Sequence, residues 1–279
     1  MPIDFHSDAN RLTYARRTAG EEWARVVREL VRPAGARVLD VGCGGGVYTT
    51  KWLDLGAASA VGVDFSAAIL SGARERAGRR PGLSFHQGDA YATGLPDGAA
   101  DIVFERALIH HLDDLTGCFR EARRLLAPGG TLIVQDRTPA DVTRPGSPTH
   151  LRGWFFERYP ALLGIEAARR PIAAAVEAAL HAAGFGAVRT SALTETRREY
   201  ADAHEVAADL RARTGRSILH DLTDPELDDL AAYIQARLPT GGPIHETDHW
   251  TLWSTTREPK AKGLPPRRGR REAQSIHSL

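Results

Sequence analysis

A glycine-rich loop follows a short apolar run near the start of the chain. Residues 38–46 read VLDVGCGGG, with glycine at Gly42, Gly44, Gly45 and Gly46, and the helical pattern VYTTKWLDL follows directly. Glycine lets a backbone turn sharply and approach a ligand closely, and the first N–H groups of a helix attract anionic groups. The pattern therefore predicts a loop that binds a small ligand carrying a carboxylate or another anionic group.

The spacing of these glycines differs from that of dinucleotide-binding enzymes. Nicotinamide and flavin enzymes use the same strand-to-helix turn with the spacing G-x-G-x-x-G. Counted from Gly42, the third glycine position holds Val47, and counted from Gly44 it holds Thr49. Neither register gives the dinucleotide fingerprint, so the spacing disfavours that class of enzyme.

Two carboxylates end the next two predicted strands. Asp64 lies 22 residues after Gly42, where an acidic side chain can accept hydrogen bonds from both hydroxyls of a ribose. Asp89, in the sequence HQGDA, is placed to accept a hydrogen bond from an exocyclic amine such as that of adenine. Each residue alone also suits an ordinary turn at a strand end. Together with the glycine loop, the two residues predict a nucleoside-binding site.

Short apolar runs alternate with helical patterns over about the first two-thirds of the chain, which predicts crossover units and a parallel sheet. Most of the apolar runs are hydrophobic nearly throughout, as expected for strands buried on both faces. The predicted strands are Arg37–Val41, Ala58–Val63, Leu83–Gln87, Asp101–Glu105, Thr131–Gln135, Ala187–Ser191 and Trp250–Thr255. The predicted helices between them are Asp113–Leu126 and Pro171–Ala183.

Three segments fall outside this alternation and divide the chain further. They are a predicted N-terminal helix at Asn10–Val31, the stretch Thr138–Arg170, and the helical pair Asp202–Thr214 and Asp224–Leu238. Long insertions beside a sheet usually form lids or binding walls, so we expect them to select the substrate. The expected division is an N-terminal helical lid at 1–36, a main domain at 37–257 with lid insertions at about 138–170 and 200–245, and a disordered basic tail at 258–279.

Charge and cysteine content exclude several classes of protein. The chain has a net charge of +1, and residues 1–257 carry −3, which argues against a nucleic-acid-binding surface. Cys43 and Cys118 are too few for a disulfide framework or a four-thiolate zinc site. The first residues lack the pattern of a secretory leader, and no apolar run approaches the length that spans a membrane. We therefore expect a cytoplasmic protein with reduced thiols, bound neither to membrane nor to nucleic acid.

Several motifs occur in order between about Arg37 and Val134. They are VLDVGCGGG, GVDFS at 62–66, GDA at 88–90, LPDGAADIVFERALIHHL and RLLAPGGTLIV. In sequence and spacing this region resembles the class I S-adenosylmethionine-dependent methyltransferases, in particular the small-molecule branch called type 11 or type 25 methyltransferase domains. The resemblance implies an α/β fold with a doubly wound, mostly parallel seven-stranded sheet whose last strand is antiparallel, with helical lid insertions. It also implies S-adenosyl-L-methionine as cofactor and S-adenosyl-L-homocysteine as product.

The resemblance also implies roles for individual residues. Asp64 would hold the ribose and Phe65 would flank the adenine, while the three glycines of the loop would pack against the methionine part of the cofactor. The implied cofactor-binding residues are Tyr14, Gly42, Gly44, Gly46, Asp64, Phe65, Asp89, Ala90 and Arg106.

The end of the fourth predicted strand is where catalytic residues are expected. Methyl transfer from a sulfonium is an in-line displacement, so the protein has to aim a nucleophile and, where needed, remove its proton. His110 or His111 is the candidate general base, and Glu105 is a third catalytic candidate. The alternative is that the two histidines only pack or cap the next helix.

Two histidine patterns invite a metal interpretation. His110 and His111 with Asp113 and Asp114 suit an octahedral site, although helix capping explains the same carboxylates. The segment His245–His249 satisfies H-E-x-x-H, but that motif binds zinc only on a helix, and here a strand-like run follows at once. We expect no metal site.

Four aromatic residues cluster in the first insertion, Trp154, Phe155, Phe156 and Tyr159. They suit either a wall over a flat or apolar acceptor or the insertion's own small core. The first interpretation favours an aromatic or polyketide-like acceptor in specialised metabolism, methylated on O, N or C.

Two other functions fit the same fold. An RNA methyltransferase would use the basic sequence PPRRGRR of the tail as its electrostatic contact, although the charge of the body argues against RNA. A protein that binds S-adenosylmethionine without transferring its methyl group is the second alternative, because a fold does not determine a reaction. The oligomeric state, including a homodimer, is left open by the sequence.

Overall fold

The structure is a computed structural model that describes residues 19–259. Its strands are β1 (Arg37–Val41), β2 (Ser59–Asp64), β3 (Leu83–Gln87), β4 (Ala100–Arg106), β5 (Leu126–Asp136), β6 (Val188–Tyr200) and β7 (Ile244–Thr256). Its helices are α1 (Glu21–Leu30), α2 (Val47–Asp54), α3 (Ala67–Ala77), α4 (Leu115–Leu125), α5 (Pro139–Val142), α6 (Leu151–Arg158), α7 (Ala161–Ala168), α8 (Ala173–Ala182), α9 (Ala203–Arg211) and α10 (Asp224–Gln235). Short 3₁₀ turns lie at Ile109–His111 and Ser217–Asp221.

The described strands form one sheet in the order β3-β2-β1-β4-β5-β7-β6. The pairs from β3 to β5 are parallel, and β7 runs antiparallel to both β5 and β6. This confirms the predicted mostly parallel, seven-stranded α/β sheet with an antiparallel last strand. Because the strand order reverses between β1 and β4, the loops after these two strands separate and leave a crevice at the carboxyl edge of the sheet.

Helices cover both faces of the central strands, which is why those strands are apolar throughout. Successive residues of a strand point to opposite faces. Val103 packs in one cluster with residues of α4 and α8. The next residue, Phe104, packs on the other face against Trp23 of α1 and Trp52 of α2, with ring centroids 5.6 Å away in each case. The sheet is therefore doubly wound, as predicted.

The described part of the predicted N-terminal helix lies in this core. Trp23 is fully buried, and its indole donates a hydrogen bond to the side chain of Gln135 on β5. Residues 21–30 thus pack under the sheet as α1, whereas the sequence suggested a lid. Residues 10–18 of the predicted helix lie outside the described part of the chain.

The last two strands are longer than predicted, with 13 residues each. The predicted strands Ala187–Ser191 and Trp250–Thr255 cover only the part of this hairpin that joins the sheet, and the pairing continues to Tyr200 opposite Ile244. The bounds were wrong because the extension is rich in charged residues such as Glu195 and Glu246. These residues are buried and paired with arginines, so their charge does not mark a loop.

The two insertions share a second hydrophobic core beyond the sheet. Side chains from α6, α9 and α10 pack together with the far end of the β6–β7 hairpin, as shown by Phe155, Leu210, Leu230 and Ile244 in one cluster. The hairpin extension therefore connects the sheet to the insertions. Within residues 19–259, none of the helices has the length and apolar character needed to cross a lipid bilayer.

Arg216 connects the insertion to the hairpin extension from inside the second core. Its guanidinium pairs with Asp209 of α9 and Glu246 of β7, and it donates a hydrogen bond to the hydroxyl of Tyr200. The side chain is 1% exposed, so its charge depends on these partners.

The substitution Arg216→Met should lower the free energy of unfolding by about 3 kcal/mol, because it removes the most deeply buried cation from two buried carboxylates and leaves Asp209 with Arg198 alone and Glu246 with Arg197 alone. Urea denaturation measures the change. The matched control is Arg211→Met, which breaks a pair with Asp228 whose side chains are 47% and 64% exposed and should cost at most about 1 kcal/mol. Equal losses in the two variants would contradict this account of the second core.

Candidate active site

The glycine loop turns sharply between β1 and α2. Gly42 and Gly46 have φ angles of 73° and 68°, which a side chain disfavours. A Cβ atom at Gly42 would lie 2.8 Å from the side chain of Leu108, and one at Gly46 would lie 2.5 Å from the ring of Phe85. These two glycines are therefore required both by the turn and by the packing of neighbouring side chains.

Gly44, at the tip of the loop, faces open space. A Cβ atom there would meet no other atom within 4 Å. The backbone is held from beneath, since the N–H groups of Gly42 and Cys43 both donate to the carbonyl of Val63 on β2. The loop tip is thus a fixed backbone surface that a ligand can approach closely.

Asp64 ends β2 beside this loop and holds it in place. One carboxylate oxygen accepts the N–H of Gly44 at 3.0 Å, and the other accepts the N–H of Ser66 at 3.0 Å. Burial raises the pKa of this carboxyl group above its usual value. A carboxylate oxygen can accept more than one hydrogen bond, so Asp64 keeps the capacity to bind hydroxyl groups of a ligand.

Three further predicted cofactor residues lie near the same edge of the sheet. Phe65 follows Asp64 with 44% of its surface exposed, which is unusual for a phenylalanine. Asp89 follows β3 and is exposed, and its carboxylate accepts the N–H of Tyr91 at 2.8 Å. Ala90 lies between Asp89 and Tyr91 in the sequence. The structure therefore brings these residues to the crevice, whereas Tyr14 lies outside the described residues.

Asp40, on β1, supports the glycine loop from below. It is buried, and its carboxylate accepts a hydrogen bond from the hydroxyl of Thr49 on α2 at 2.5 Å. Burial raises the pKa of Asp40 to about 7. This residue links β1 to the helix that follows the loop.

Arg106, at the end of β4, is held on three sides. Its guanidinium lies 4.2 Å from the ring of Tyr48 and 4.2 Å from the ring of Trp250, and it donates to Glu195 at 3.1 Å. Glu195 also accepts hydrogen bonds from Tyr48 and Gln135. Sequence reasoning predicted Arg106 but missed Glu195, because a glutamate in a polar stretch of β6 gives no signal of burial.

His110 and Asp136 form a hydrogen-bonded pair next to the end of β4. The Nδ1 atom of His110 is 2.9 Å from each carboxylate oxygen of Asp136, and the backbone N–H of His110 donates to the same carboxylate at 3.3 Å. Burial would raise the pKa of Asp136, but its interactions with His110 and Arg170 hold that pKa at about 2. A carboxylate only accepts, so Nδ1 carries the proton and Nε2 of the neutral ring is left as an acceptor.

The other two catalytic candidates are in different surroundings. Burial lowers the pKa of His111 to about 4, so its ring, 4.0 Å from that of His110, is neutral at neutral pH. Glu105 is buried beneath α4, where its carboxyl group is 3.5 Å from the Sγ atom of Cys118. Burial raises the pKa of Glu105 to about 7. Of the three candidates, His110 has the partner that a general base requires.

The backbone between these residues is strained. Ala107 has a φ angle of 51°, in the left-handed region that residues with a side chain rarely adopt. Its N–H donates to the carbonyl of Gln135 at 2.9 Å, which fixes the turn from β4 into the 3₁₀ segment. Such strain persists where the surrounding structure enforces it, often at functional sites.

The aromatic residues of the first insertion lie in its core. Trp154, Phe155 and Phe156 are each at most 7% exposed, and Tyr159 packs against the same cluster. Of the two interpretations of this group, burial favours the insertion's own core over a wall that contacts an acceptor.

The H-E-x-x-H segment is part of β7, as the strand-like run that follows it predicted. Residues four apart in a strand lie about 13 Å from each other, so His245 and His249 do not have the close helical spacing that a zinc site of this type requires. Among residues 19–259, no group of three or more histidine, cysteine, aspartate or glutamate side chains is arranged to hold a metal ion.

Comparison with known proteins agrees with this geometry. Residues 39–134 match a family model described as a methyltransferase domain. Phosphoethanolamine N-methyltransferase of Triticum aestivum is 34% identical over 119 residues, which are 41% of this chain and 22% of that protein. Trans-aconitate 2-methyltransferase of Acidovorax sp. (strain JS42) is 38% identical over 104 residues, 37% of this chain and 39% of that protein. The chain thus spans between about a fifth and two-fifths of the length of these curated relatives.

A solved structure shows the same fold over most of the chain. Phosphoethanolamine N-methyltransferase 2 of Haemonchus contortus, in complex with S-adenosyl-L-methionine, aligns with a TM-score of 0.59 and 18% identity, covering 92% of this chain and 60% of that one. The sequence match at residues 39–134 supports a class I S-adenosylmethionine-dependent methyltransferase domain, and the shared fold agrees with it. The resemblance stated from the motifs is confirmed.

The buried Glu105 predicts a measurable dependence of stability on pH. Its pKa is about 7 in the folded protein against 4.5 for the free side chain, so the unfolded state loses this proton first as the pH rises. The contribution of Glu105 to the free energy of unfolding therefore falls as the pH rises from about 4.5 through about 7.

The variant Glu105→Gln removes this titration. Its free energy of unfolding relative to the wild type should rise by about 2 kcal/mol between about pH 5 and about pH 8. Denaturation curves at the two pH values measure the difference, with the exposed Glu75→Gln as the control that should show none. A difference that does not change with pH would contradict the buried, protonated state of Glu105.

Proposed function

We propose that the protein binds S-adenosyl-L-methionine at the carboxyl edge of β1, β2 and β3 and transfers its methyl group to O, N or C of a small molecule. The residues present suit that cofactor. The open backbone at Gly44 suits the close approach of its methionine part, and Phe65 offers an exposed apolar face to adenine. Asp64 offers a carboxylate for the ribose hydroxyls, and Asp89 another for the adenine amine.

The observation that carries this proposal is the double use of Asp64. Its carboxylate accepts the N–H of Gly44, so the tip of the glycine loop is held against the same carboxylate that we propose binds the ribose hydroxyls. A site that holds both ends of a nucleoside ligand in one geometry loses little entropy when the ligand binds. The glycine spacing, which lacks the dinucleotide fingerprint, favours a sulfonium nucleoside over a nicotinamide dinucleotide.

When bound, S-adenosyl-L-methionine supplies an electrophilic methyl group. The protein's own residues then have to place the acceptor and manage its proton. His110 lies at the end of β4 with Nδ1 held by Asp136, so its Nε2 atom is oriented to accept a proton from a hydroxyl or amine. The buried Asp136 stabilises the charged imidazole that results.

A small molecule is the acceptor that the site supports best. The curated relatives are named for phosphoethanolamine and trans-aconitate, both small molecules, and these names support a small acceptor here. The sequence also suggested an aromatic or polyketide-like acceptor, but the aromatic residues behind that idea are buried in the insertion's core. The negative charge of residues 1–257 gives no support to RNA as substrate.

The first test is calorimetric titration with S-adenosyl-L-methionine and, separately, with NADH. The wild type should bind the sulfonium cofactor and not NADH. Asp64→Asn should weaken cofactor binding at least tenfold, since charged hydrogen bonds are worth about 1.5 to 3 kcal/mol. Asp54→Asn is the control, because Asp54 is half exposed and pairs with a surface arginine, and its cofactor affinity should equal that of the wild type. Binding of NADH, or of neither ligand, would contradict the proposal.

The role of His110 can be tested by methyl transfer to an acceptor found by screening for release of S-adenosyl-L-homocysteine. His110→Gln should lower kcat by about 10² to 10⁴ for a hydroxyl or amine acceptor and leave cofactor affinity unchanged. His245→Gln, at a half-exposed position on β7, is the control. Release of S-adenosyl-L-homocysteine at the wild-type rate from His110→Gln would exclude His110 as the base. A failure to release it with any acceptor would favour a protein that binds the cofactor without transferring its methyl group.

A further inference from the structure

Four buried arginines meet where the first insertion approaches the end of β5. Arg137 follows β5 directly, Arg152 lies on α6, Arg170 follows α7 and Arg197 lies on β6. Their side chains are 5% to 11% exposed. We call this group the arginine junction. Guanidinium groups in such a position require acceptors close by, because the cost of burying an unpaired charge is high.

The carboxylates around the arginine junction are shared among several cations. Glu166 pairs with Arg152 and Arg170 and with the more exposed Arg169. Asp136 lies 3.3 Å from Arg170, but it also holds His110.

The second pair of arginines depends on β7. Asp248 lies 2.5 Å from Arg137 and 3.6 Å from Arg197. Arg197 is also 3.3 Å from Glu246, a carboxylate that Arg216 already binds. Each carboxylate at the junction therefore serves two or more cations.

Hydrogen-bond donors exceed acceptors at this place. Among the described residues, Nε1 of Trp250 and both ring nitrogens of His150 are buried without a hydrogen-bond partner, and one of the two His150 nitrogens carries a proton in the neutral ring. Nη2 of Arg137 and Nε of Arg197 lack a partner of hydrogen-bond geometry, although they lie 2.5 Å from Asp248 and 3.3 Å from Glu246. The contact between Arg137 and Asp248 is an ion pair without hydrogen-bond geometry. None of the carboxylate oxygens of Glu166, Asp136, Asp248 and Glu246 is both buried and without a hydrogen-bond partner. An anion with oxygen atoms aligned to these nitrogens would supply acceptors that the surrounding carboxylates do not align with them.

Electrostatics at Arg137 agree with the hydrogen bonding. Burial and the charges of Arg152, Arg170 and Arg197 lower the pKa of Arg137 to about 9, although Asp248 opposes this shift. Burial, with His249 and Arg152 nearby, likewise lowers the pKa of His150 to about 4. The potential around these two residues is positive, so a negative charge placed there would be stabilised.

The arginine junction also adjoins the reacting groups. Arg137 is next in sequence to Asp136, the partner of His110. Its guanidinium lies 4.0 Å from the ring of Trp250, whose ring also contacts Arg106. A group bound at Arg137 would therefore lie beside the ring that also contacts Arg106 at the end of β4.

We propose that the arginine junction binds a carboxylate or phosphate group of the methyl acceptor, with Arg137 as the principal contact and His150 and Trp250 as further donors. This proposal rests on the proposed function, since it assigns the anion to the acceptor. Fork-shaped guanidinium groups suit both carboxylate and phosphate oxygens. Because the donor atoms are covered, an anion has to displace the insertion around α6 as it binds, which should change the tryptophan fluorescence of the protein.

The test uses the full chain saturated with S-adenosyl-L-homocysteine. Inorganic phosphate and malonate are titrated separately, at constant ionic strength maintained with sodium chloride, and followed by calorimetry and tryptophan fluorescence. At least one of the two anions should bind saturably, and the tighter one indicates whether the acceptor carries a phosphate or a carboxylate. Arg137→Met should weaken this binding by roughly tenfold or more, and Arg137→Lys by less, because lysine keeps the charge but loses the fork.

Two controls make the result specific. Arg189→Met removes an exposed arginine from the same strand as Arg197 and should bind the anion like the wild type. Arg197→Met should also weaken binding of the anion. This variant takes the place of Arg137→Met in the test if thermal unfolding shows that Arg137→Met is not folded. In all these variants the affinity for S-adenosyl-L-homocysteine should be unchanged.

Three outcomes would overturn the inference. The first is that neither anion binds saturably. The second is that the wild type and both methionine variants of the arginine junction bind the anion with equal affinity. The third is that the anion displaces S-adenosyl-L-homocysteine, which would assign the arginines to the cofactor's carboxylate. Failure of the wild type to bind S-adenosyl-L-homocysteine at all would instead overturn the proposed function.

Discussion

The buried carboxylate of Glu195 is the interaction on which the arrangement of the site depends. It accepts hydrogen bonds from Tyr48 on α2, Arg106 on β4 and Gln135 on β5. It so joins the helix after the glycine loop to β4, at whose end the catalytic candidates lie, and to β5, which ends in Asp136. An ion buried in this way is stable only when its partners are in place. The hairpin of β6 and β7 must therefore extend past the edge of the sheet, because only then does Glu195 reach these partners.

The extension of that hairpin determines where the insertions sit. Its far end packs into the second hydrophobic core through Tyr200 and Ile244, while Trp250 lies between the guanidinium groups of Arg106 and Arg137. The same pair of strands thus contacts the cofactor side of the crevice and the arginine junction. A shift of the insertion would change both, so an acceptor bound at the arginine junction would affect the geometry around Arg106.

The site divides into two parts with different physical requirements. The part proposed for the nucleoside consists of backbone N–H groups, a glycine tip and the carboxylate of Asp64, all within a few residues of β1 and β2, so local sequence can specify it. The part proposed for the acceptor consists of side chains from β5, β6, β7 and the insertion, whose charges are close in space and distant in sequence. This division suits a fold in which one cofactor serves many acceptors, since the second part can vary without disturbing the first.

The sequence by itself determined the sheet and its mostly parallel order, and it predicted the residues that meet beside the glycine loop, because short apolar runs, glycine spacing and strand-end carboxylates are local signals. It also identified His110, but it could not supply Asp136 as the partner, since the pair is separated by 26 residues. Only the tertiary structure decided the length of β6 and β7, the burial of Trp154 and Phe155 in the insertion's core, and the meeting of Arg137 with Asp248. Charged residues look solvent-exposed in a sequence, and only their partners in space show that they are buried.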